Sequence, residues 1–338
     1  MRALATLDFG MTIDTEKWNE LQRHVARLKR EISKVIVGQA DTVEMMLAAL
    51  FSRGHCLIVG VPGLGKTLLV RTFGRVLGLS FHRIQFTPDL MPTDIVGSEI
   101  LQAADGGVRR FEFSEGPIFA NLLLADEINR TPPKTQSALL EAMQERQVTV
   151  AGVTRTLQEP FTVFATQNPI EHEGTYPLPE AQLDRFFFHI NVDYPSMDDE
   201  RAIVLHSGTP SADGPEEVLT RGQVLEMQDA VTEIPMPDHA VDFILRLVQS
   251  TRPHSALADD HVKRLVAWGA GPRASQTLHL AAKALALLRG RTSASVQEVR
   301  DAALPVLRHR VIPNYNATGE GVTSDDIIRH LLSTQKVA

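Results

Sequence analysis

The stretch Gly60-Val61-Pro62-Gly63-Leu64-Gly65-Lys66-Thr67 decides the fold of this 338-residue chain. It matches G-x-x-x-x-G-K-[ST] at every fixed position, between the apolar segment Cys56–Val59 and a helical pattern over about 66–77. The glycines let backbone N–H groups turn inward around phosphates, the lysine reaches the β and γ oxygens, and the threonine hydroxyl can bind Mg²⁺. The helix adds its positive N-terminal end. The pattern therefore predicts a loop that binds ATP or ADP with Mg²⁺. A glycine turn followed by a surface lysine would not account for the flanking strand and helix.

A second acidic motif follows further along the chain. The apolar segment Leu122–Ala125 leads directly into Asp126 and Glu127. A buried strand can deliver Asp126 to the magnesium shell, and Glu127 then stands where a base could align the attacking water. Alone, an acidic pair after an apolar run commonly ends a strand in solvent. Together with the glycine loop it predicts a hydrolytic site, because a small-molecule kinase has less use for a water-directing glutamate.

Three further polar residues are weaker candidates when each is considered alone. Asn168 ends the apolar segment 161–166 and could face a nucleotide at the carboxyl edge of a sheet, although an asparagine before proline is more typical of a turn. Arg185 precedes a run of aromatic residues and is most simply a surface or ion-paired arginine. Arg273 opens a helix against the dipole preference, which is a weak indication of a ligand.

Strands alternate with helices through the first part of the chain. The hydrophobic pattern predicts helices over 14–34, 41–51, 66–77 and 133–146, and strands over 56–59, 81–86, 121–125, 161–166 and 185–192. Two hairpins are also predicted, over 95–113 with a tip at Asp105-Gly106-Gly107 and over 147–157 with a turn at Ala151-Gly152. This order predicts an α/β fold with a doubly wound parallel sheet behind the phosphate-binding loop.

The pattern changes at Pro195, after which only helical periodicity recurs. The predicted helices cover 198–206, 217–231, 238–250, 259–269, 274–290 and 295–309. We therefore predict three segments: an N-terminal tail over 1–13, an α/β nucleotide-binding core over 14–195, and a smaller all-α domain over 196–338.

Composition narrows the classes of function. Apolar residues make up 43% and charged residues 22%, as in ordinary globular proteins. The net charge of −7 disfavours nucleic acid as the main partner, because proteins that bind its phosphates usually carry a basic surplus. Cys56 is the only cysteine, and the 12 histidines show no metal-ligand spacing. No apolar run is long enough to span a membrane, and residues 1–11 make a poor signal peptide, so we expect a cytoplasmic protein.

Taken together, these motifs resemble those of the MoxR-type AAA+ ATPases over roughly residues 14–334. The resemblance is carried by GPIFAN at 116–121 leading into LADEINR at 124–130, QERQVTV at 144–150, ATQNP at 165–169 and EGTYPLPEAQLDRF at 173–186. It implies that the all-α domain is a lid on the P-loop NTPase core. It also implies that Asn168 is a first sensor, that Arg185 is an arginine finger acting in trans on the γ-phosphate of a neighbouring subunit, and that Arg273 is a second sensor.

The resemblance completes the predicted site. The catalytic set is Lys66, Glu127, Asn168, Arg185 and Arg273, and the metal ligands are Thr67 and Asp126. The nucleotide contacts are Val37, Gly38 and Gln39 at the adenine, with Gly60, Pro62, Gly63, Leu64, Gly65, Lys66, Thr67, Leu68 and Arg273.

The resemblance also implies an assembly and a kind of client. The hairpins at 95–115 and 147–158 would be the helix-2 insert and the pre-sensor hairpin of this clade. Such proteins form hexameric rings and remodel or assemble other proteins, often ones with metal-binding von Willebrand factor A domains. One departure is the hairpin tip Ala151-Gly152-Val153-Thr154-Arg155, which is more apolar and basic than the family pattern. Client specificity therefore cannot be inferred from relatives if that tip contacts the client.

Three alternatives remain open. The ATPase subunit of a magnesium or cobalt chelatase would share the inserts and the Gln-Leu-Asp-Arg-Phe stretch, and a porphyrinoid-handling partner would distinguish it. A helicase-like or transcription-activating ring is disfavoured by the acidic balance. A nucleotide-gated scaffold without turnover conflicts with the presence of Asp126, Glu127 and Arg185.

Overall fold

A computed structural model describes residues 13–103, 109–171, 174–206 and 214–335 of the chain. These residues pack into two compact units. The sheet unit comprises residues 28–46 and 53–225, and the helical unit comprises residues 13–27, 47–52 and 226–335, within the described ranges. Most of the predicted tail 1–13 and the predicted hairpin tip at 105–107 lie outside the described residues.

The sheet unit follows the alternation that the sequence predicts. In chain order it contains the end of α1 (Thr15–Ser33), the start of α2 (Ala40–Phe51), β1 (Cys56–Val59), α3 (Lys66–Val76), β2 (Phe81–Gln85), α4 (Pro92–Val96), β3 (Gly97–Ala103), β4 (Arg109–Glu115), β5 (Leu122–Asp126), α5 (Pro133–Glu145), β6 (Gln147–Val150), β7 (Val153–Thr156), β8 (Thr162–Gln167), α6 (Glu180–Leu183), β9 (Phe188–Asn191), α7 (Met197–His206) and the start of α8 (Arg221–Glu233).

Five of these strands form one parallel sheet in the order β2-β5-β8-β1-β9. The first four residues of β5 are buried, as are Leu57 and Ile58 of β1, so these strands are apolar on both faces. Ile58 lies opposite Thr166 on one side and Ile190 on the other. Because all the strands are parallel, the carboxyl ends of β1, β2, β5 and β8 share one edge, and the predicted site residues follow those ends.

Two antiparallel hairpins are added to this sheet unit. Strands β3 and β4 pair from Gly97 opposite Glu115 to Ala103 opposite Arg109, and β6 pairs with β7 around a turn at Ala151-Gly152. Both predicted hairpins are therefore confirmed within the described residues. The first begins at Gly97, because Ile95 and Val96 belong to α4, and not at Ile95 as the sequence predicts.

The helical unit is built from the C-terminal part of the chain, which includes the end of α8, together with the first part of α1 and the end of α2. Its further elements are α9 (Asp238–Ser250), α10 (Asp260–Leu265), β10 (Val266–Trp268), α11 (Pro272–Leu288), α12 (Val296–Leu307), β11 (Ile312–Pro313), α13 (Tyr315–Glu320) and α14 (Ser324–Thr334). The helical character of this part is confirmed, and a short antiparallel pair, β10 with β11, is added to it. No described helix is both long enough and apolar enough to cross a membrane.

Several predicted boundaries are wrong. The strand predicted over 185–192 is confined to Phe188–Asn191, because the N–H groups of Arg185 and Phe186 donate to the preceding turn. The helix predicted over 259–269 ends at Leu265. The helix predicted from 217 begins at Arg221, since Val218 and Leu219 donate their N–H groups to the carbonyl of Val76.

Candidate nucleotide-binding site

The loop between β1 and α3 has the backbone shape that the sequence predicts. Gly63 and Gly65 have φ of 88° and 72°, in the left-handed region that glycine enters without strain. The Nζ atom of Lys66 donates to the carbonyl oxygen of Gly60, so its ammonium group folds back over the loop. The loop is held from outside by Gln39, whose Nε2 donates to the carbonyl oxygen of Leu64 at 3.0 Å.

A pocket of about 480 Å³ opens over this loop, and it is lined only by residues of the sheet unit. It collects side chains from the ends of β2, β5 and β8 around the loop after β1, as expected where parallel strands share one edge. The lining residues are Pro62, Gly63, Leu64, Gly65, Lys66, Thr67, Leu68, Arg83, Gln85, Asp126, Glu127, Thr166 and Asn168. The structure thus brings most of the predicted phosphate and metal contacts together.

The two acidic residues are fixed by the neighbouring strand β8. The Oγ1 atom of Thr166 donates to Asp126 Oδ1 at 2.6 Å and accepts the N–H of Glu127 at 2.8 Å. Glu127 itself has φ of 57°, a left-handed conformation that costs a non-glycine residue about 1 kcal/mol. Strain of this kind is typical of functional sites.

Three polar residues that the sequence did not single out complete the surroundings of the acidic pair. Arg83 donates to Asp126 Oδ2 through Nη2 at 2.7 Å and through Nε at 3.1 Å. Gln85 Nε2 and Arg130 Nη1 both donate to Glu127 Oε2, at 2.7 and 2.9 Å. The available signal was the alternation of Arg83 and Gln85 on β2, which places both side chains on one face of that strand.

Lys66 brings a positive charge to the pocket lining, as does Arg83. Partial burial lowers the pKa of its ammonium group, while the carboxylates of Asp126 and Glu127 act in the opposite direction. Desolvation therefore disfavours the charged form of Lys66, whereas the two acidic residues favour it. A phosphate group entering the pocket would add further negative charge beside it.

Asn168 shows both of the features that its sequence context left open. Its Oδ1 accepts the N–H of Ile170 at 3.2 Å, which is the turn expected before a proline. Its Nδ2 is buried and has no hydrogen-bond partner among the described residues, although Asn168 lines the pocket. A buried amide donor without an acceptor is costly, so this group is suited to an oxygen supplied by a ligand.

The predicted adenine contacts lie at a second cavity, of about 590 Å³. Gly38 and Gln39 line it, together with Ile32, Ile36 and Val43, whereas Val37 is not among its described lining residues. The cavity has apolar side chains that a flat heterocycle could pack against, and it is also lined by the charged residues Lys29, Arg30, Asp41 and Glu44. Gln39 links this cavity to the phosphate loop through its bond to Leu64.

The two predicted arginine contacts lie outside the pocket lining. Arg185 follows α6, and its Nη1 donates to the carbonyl oxygen of Leu140 at 3.0 Å. Arg273 is an exposed residue in the first turn of α11, in the helical unit. Their roles as a finger in trans and as a second sensor remain predictions.

A phosphate-binding loop, an acidic pair after β5 and an asparagine after β8 define a P-loop protein that binds a nucleoside triphosphate. Comparison with known proteins agrees with this class. Residues 55–188 match the ATPase family associated with various cellular activities (AAA), and residues 258–331 match the AAA lid domain. These two matches cover parts of the sheet unit and of the helical unit, respectively.

Whole-chain relatives narrow the class. The chain is 48% identical over 304 residues to Chaperone MoxR1 of Mycobacterium tuberculosis, covering 90% of this chain and 80% of that protein. It is 42% identical to the uncharacterized protein YeaC of Bacillus subtilis, covering 94% and 96% of the two chains. A crystal structure from Cytophaga hutchinsonii superposes with a TM-score of 0.89 at 38% identity, covering 96% and 97%. The chain belongs to the MoxR-type AAA+ ATPases.

Proposed function

We propose that this protein binds ATP with Mg²⁺ in the pocket over the β1–α3 loop and hydrolyses it within a ring that remodels or assembles client proteins. One observation carries the proposal. Lys66, Thr67, Asp126, Glu127 and Asn168, which come from separate parts of the chain, line a single pocket of about 480 Å³. That set contains a phosphate cradle, oxygen donors for a cation, a base and a buried free donor.

The residues of the pocket divide the reaction between them. Lys66 and the loop N–H groups bind the β and γ phosphates, and Asn168 Nδ2 donates to an oxygen of the γ-phosphate or of the attacking water. Glu127 accepts the proton of that water as its oxygen attacks phosphorus. The bond from the γ-phosphorus to the bridging oxygen breaks, which releases ADP and inorganic phosphate.

The hydroxyl of Thr67 and the carboxylate of Asp126 are the groups that would hold the metal. Both are oxygen donors in one pocket, and such donors suit a hard cation like Mg²⁺. When bound, the cation would neutralise negative charge on the phosphate oxygens. Thr166 holds one oxygen of Asp126 in place, so the orientation of this carboxylate is already set by β8.

The proposed client is a protein, and a von Willebrand factor A domain is its expected type. The relative from M. tuberculosis is called a chaperone, which supports this class of work. The sheet unit also carries two hairpins with exposed apolar side chains, Leu101 and Phe111 on one and Val153 on the other. We further propose that the ring has six subunits. The alternative assignment is the ATPase subunit of a magnesium or cobalt chelatase.

Glu127→Gln tests hydrolysis and the client together. Since the amide cannot accept the water proton, we expect turnover to fall by a factor of about 10² to 10⁴ while ATP affinity stays within about twofold of the unchanged protein. Steady-state phosphate release and titration with a fluorescent ATP analogue measure the two effects. Glu141→Gln removes an exposed carboxylate of α5 and is the matched control.

The same variant identifies the partner, because it should hold ATP and retain the client. Affinity capture followed by mass spectrometry would support the proposal if a protein with a von Willebrand factor A domain is enriched over the control variant. Enrichment of a porphyrinoid-handling partner would favour the chelatase alternative. Unchanged turnover in Glu127→Gln would refute the role of Glu127 as the base.

A further inference from the structure

The side chain of Arg83 contacts Asp126 directly and is connected to Glu127 through Gln85. It lies on β2, with its Nη2 at 2.7 Å from Asp126 Oδ2 and also 2.7 Å from Gln85 Oε1. Its Nε adds a second contact to the same carboxylate oxygen, at 3.1 Å. One guanidinium group therefore holds the predicted metal ligand and, at the same time, the amide next to the predicted base.

The contact with Arg83 sets the orientation of the Gln85 amide. An arginine N–H can only donate, so the Gln85 atom that faces it must be the acceptor Oε1. The amide nitrogen Nε2 is then left to donate to Glu127 Oε2, at 2.7 Å. A continuous series of hydrogen bonds runs from Asp126 through Arg83 and Gln85 to Glu127.

We propose that Arg83 is a positioning residue that links cation binding at Asp126 to the release of Glu127, by way of Gln85. Asp126 can present Oδ2 fully to a divalent cation only after Arg83 has left it, since both compete for the same lone pairs. Because Arg83 also orients Gln85, its departure loosens the donor that restrains Glu127. The inference rests on the proposed function, and it adds a residue that neither the motif nor the loop contains.

The strength of the Arg83–Asp126 pair suits a reversible contact. The Arg83 side chain is 46% exposed and that of Asp126 is 15% exposed. A half-exposed ion pair contributes up to about 1 kcal/mol, so a cation bound by phosphates as well as by Asp126 can displace it. That energy corresponds to a change of about three- to fivefold in the cation concentration needed to occupy the site.

Nucleotide binding as a function of Mg²⁺ concentration tests the inference without using catalysis. A fluorescent ADP analogue is titrated at a series of Mg²⁺ concentrations, and the Mg²⁺ concentration at half-maximal binding is compared between variants. Arg83→Ala should lower this concentration about three- to fivefold, because Asp126 loses its competitor. Arg83→Lys keeps a point charge and should stay near the wild type, and Arg246→Ala, an exposed arginine of α9, is the control for charge.

The link to Gln85 is tested by a double-mutant cycle in the same assay. Gln85→Ala should lower the Mg²⁺ requirement by about twofold, because Arg83 loses one of its two acceptors, and the double variant should match Arg83→Ala alone. If the double variant instead shows the product of the two single effects on the Mg²⁺ requirement, Arg83 and Gln85 act independently and the proposed link between them is wrong. An unchanged or raised Mg²⁺ requirement in Arg83→Ala would overturn the competition, and thermal unfolding would confirm that each variant is folded.

Failure of the proposed function would look different. If nucleotide binding by the wild-type protein did not depend on Mg²⁺, the metal role of Thr67 and Asp126 would be wrong. If nucleotide binding by the wild type depends on Mg²⁺ and Arg83→Ala needs the same Mg²⁺ concentration, the role of Arg83 is wrong and the proposed function is unaffected.

Discussion

His55 lies directly before β1 and fastens two neighbouring elements with its imidazole ring. Its Nδ1 accepts the N–H of Val163 on β8 at 3.0 Å, and its Nε2 lies 3.1 Å from the carbonyl oxygen of Met143 on α5. Since Nδ1 is an acceptor, the proton is on Nε2 and the ring is neutral. Burial lowers the pKa of His55 from its ordinary 6.5 to about 4.

This histidine should make the stability of the protein depend on pH. Its folded pKa is below the unfolded one, so its contribution is full above pH 6.5 and is lost as the pH falls towards 4. Between pH 7 and pH 5 we expect a loss of about 2 kcal/mol in the free energy of unfolding from this group. His55→Gln should flatten that part of the profile, as measured by urea unfolding at several pH values. His82→Gln, at an exposed histidine of β2, should keep the wild-type profile. Equal profiles for all three proteins would contradict the assignment.

The site residues differ in how far sequence alone could place them. Lys66, Asp126 and Asn168 follow the carboxyl ends of apolar strands, and a parallel sheet brings such ends together whatever the side chains do. The importance of Arg83 and Gln85 could not be predicted, because it lies in side-chain contacts to residues 43 and 42 positions away in sequence. A hydrophobic pattern locates strands, but it does not reveal which polar side chains meet across them.

At the scale of elements, helix starts are encoded locally in this chain. Glu298 Oε2 accepts from both the N–H and the Oγ of Ser295, which caps the start of α12. Asp326 Oδ2 does the same for Thr323 before α14. The two capping boxes differ in burial, because the side chain of Glu298 is fully buried and that of Asp326 is 50% exposed. Glu298 also pairs with Arg291 at 3.1 Å.

This difference in burial predicts that alanine at position 298 destabilises the fold more than alanine at position 326. Glu298→Ala leaves a buried N–H and an arginine without their acceptor, so we expect a loss of about 3 kcal/mol in unfolding free energy. Asp326→Ala should cost less, because water can replace the lost acceptor at this exposed cap. Thermal and urea unfolding followed by circular dichroism give both values. Equal losses would mean that burial adds nothing to this cap.

Elements whose conformation depends on distant contacts were the ones predicted poorly. The aromatic run that begins at Phe186 indicates burial, but burial is common to a strand and to the turn that precedes it. Val266–Trp268 becomes a strand only because Ile312–Pro313 pairs with it, more than 40 residues away. The helices α13 and α14 were missed although Thr323 and Asp326 form a cap, because their apolar stretches are short.

At the scale of the whole molecule, the proposal that active sites are shared between subunits of a ring depends on Arg185. Its Nη1 is bonded to Leu140 in its own chain, but a guanidinium group has five N–H donors, and the remaining ones can bind a phosphate. If Arg185 acts on the site of a neighbouring subunit, every active site needs residues from two chains. A subunit that lacks Glu127 and a subunit that lacks Arg185 should then complement each other.

Mixing experiments test this division. Arg185→Ala and Glu127→Gln should each be nearly inactive alone, because an arginine finger contributes a factor of about 10³ to 10⁵ and the base about 10² to 10⁴. In an equal mixture that assembles at random, about a quarter of the sites combine an intact Glu127 with an intact Arg185 from the next chain. Phosphate release should therefore recover to about a quarter of the wild-type rate, and recovery should require protein concentrations that permit assembly.

A second mixture shows whether recovery reflects shared sites. Lys66 and Glu127 line the same pocket of one chain, so a mixture of Lys66→Ala with Glu127→Gln contains no complete site and should remain inactive. Recovery in that mixture would mean that the rate comes from something other than combined sites. No recovery in the first mixture, with assembly shown by light scattering, would place Arg185 in the site of its own chain. The ring would then no longer be needed to complete the active site, although it could still be needed to act on a client.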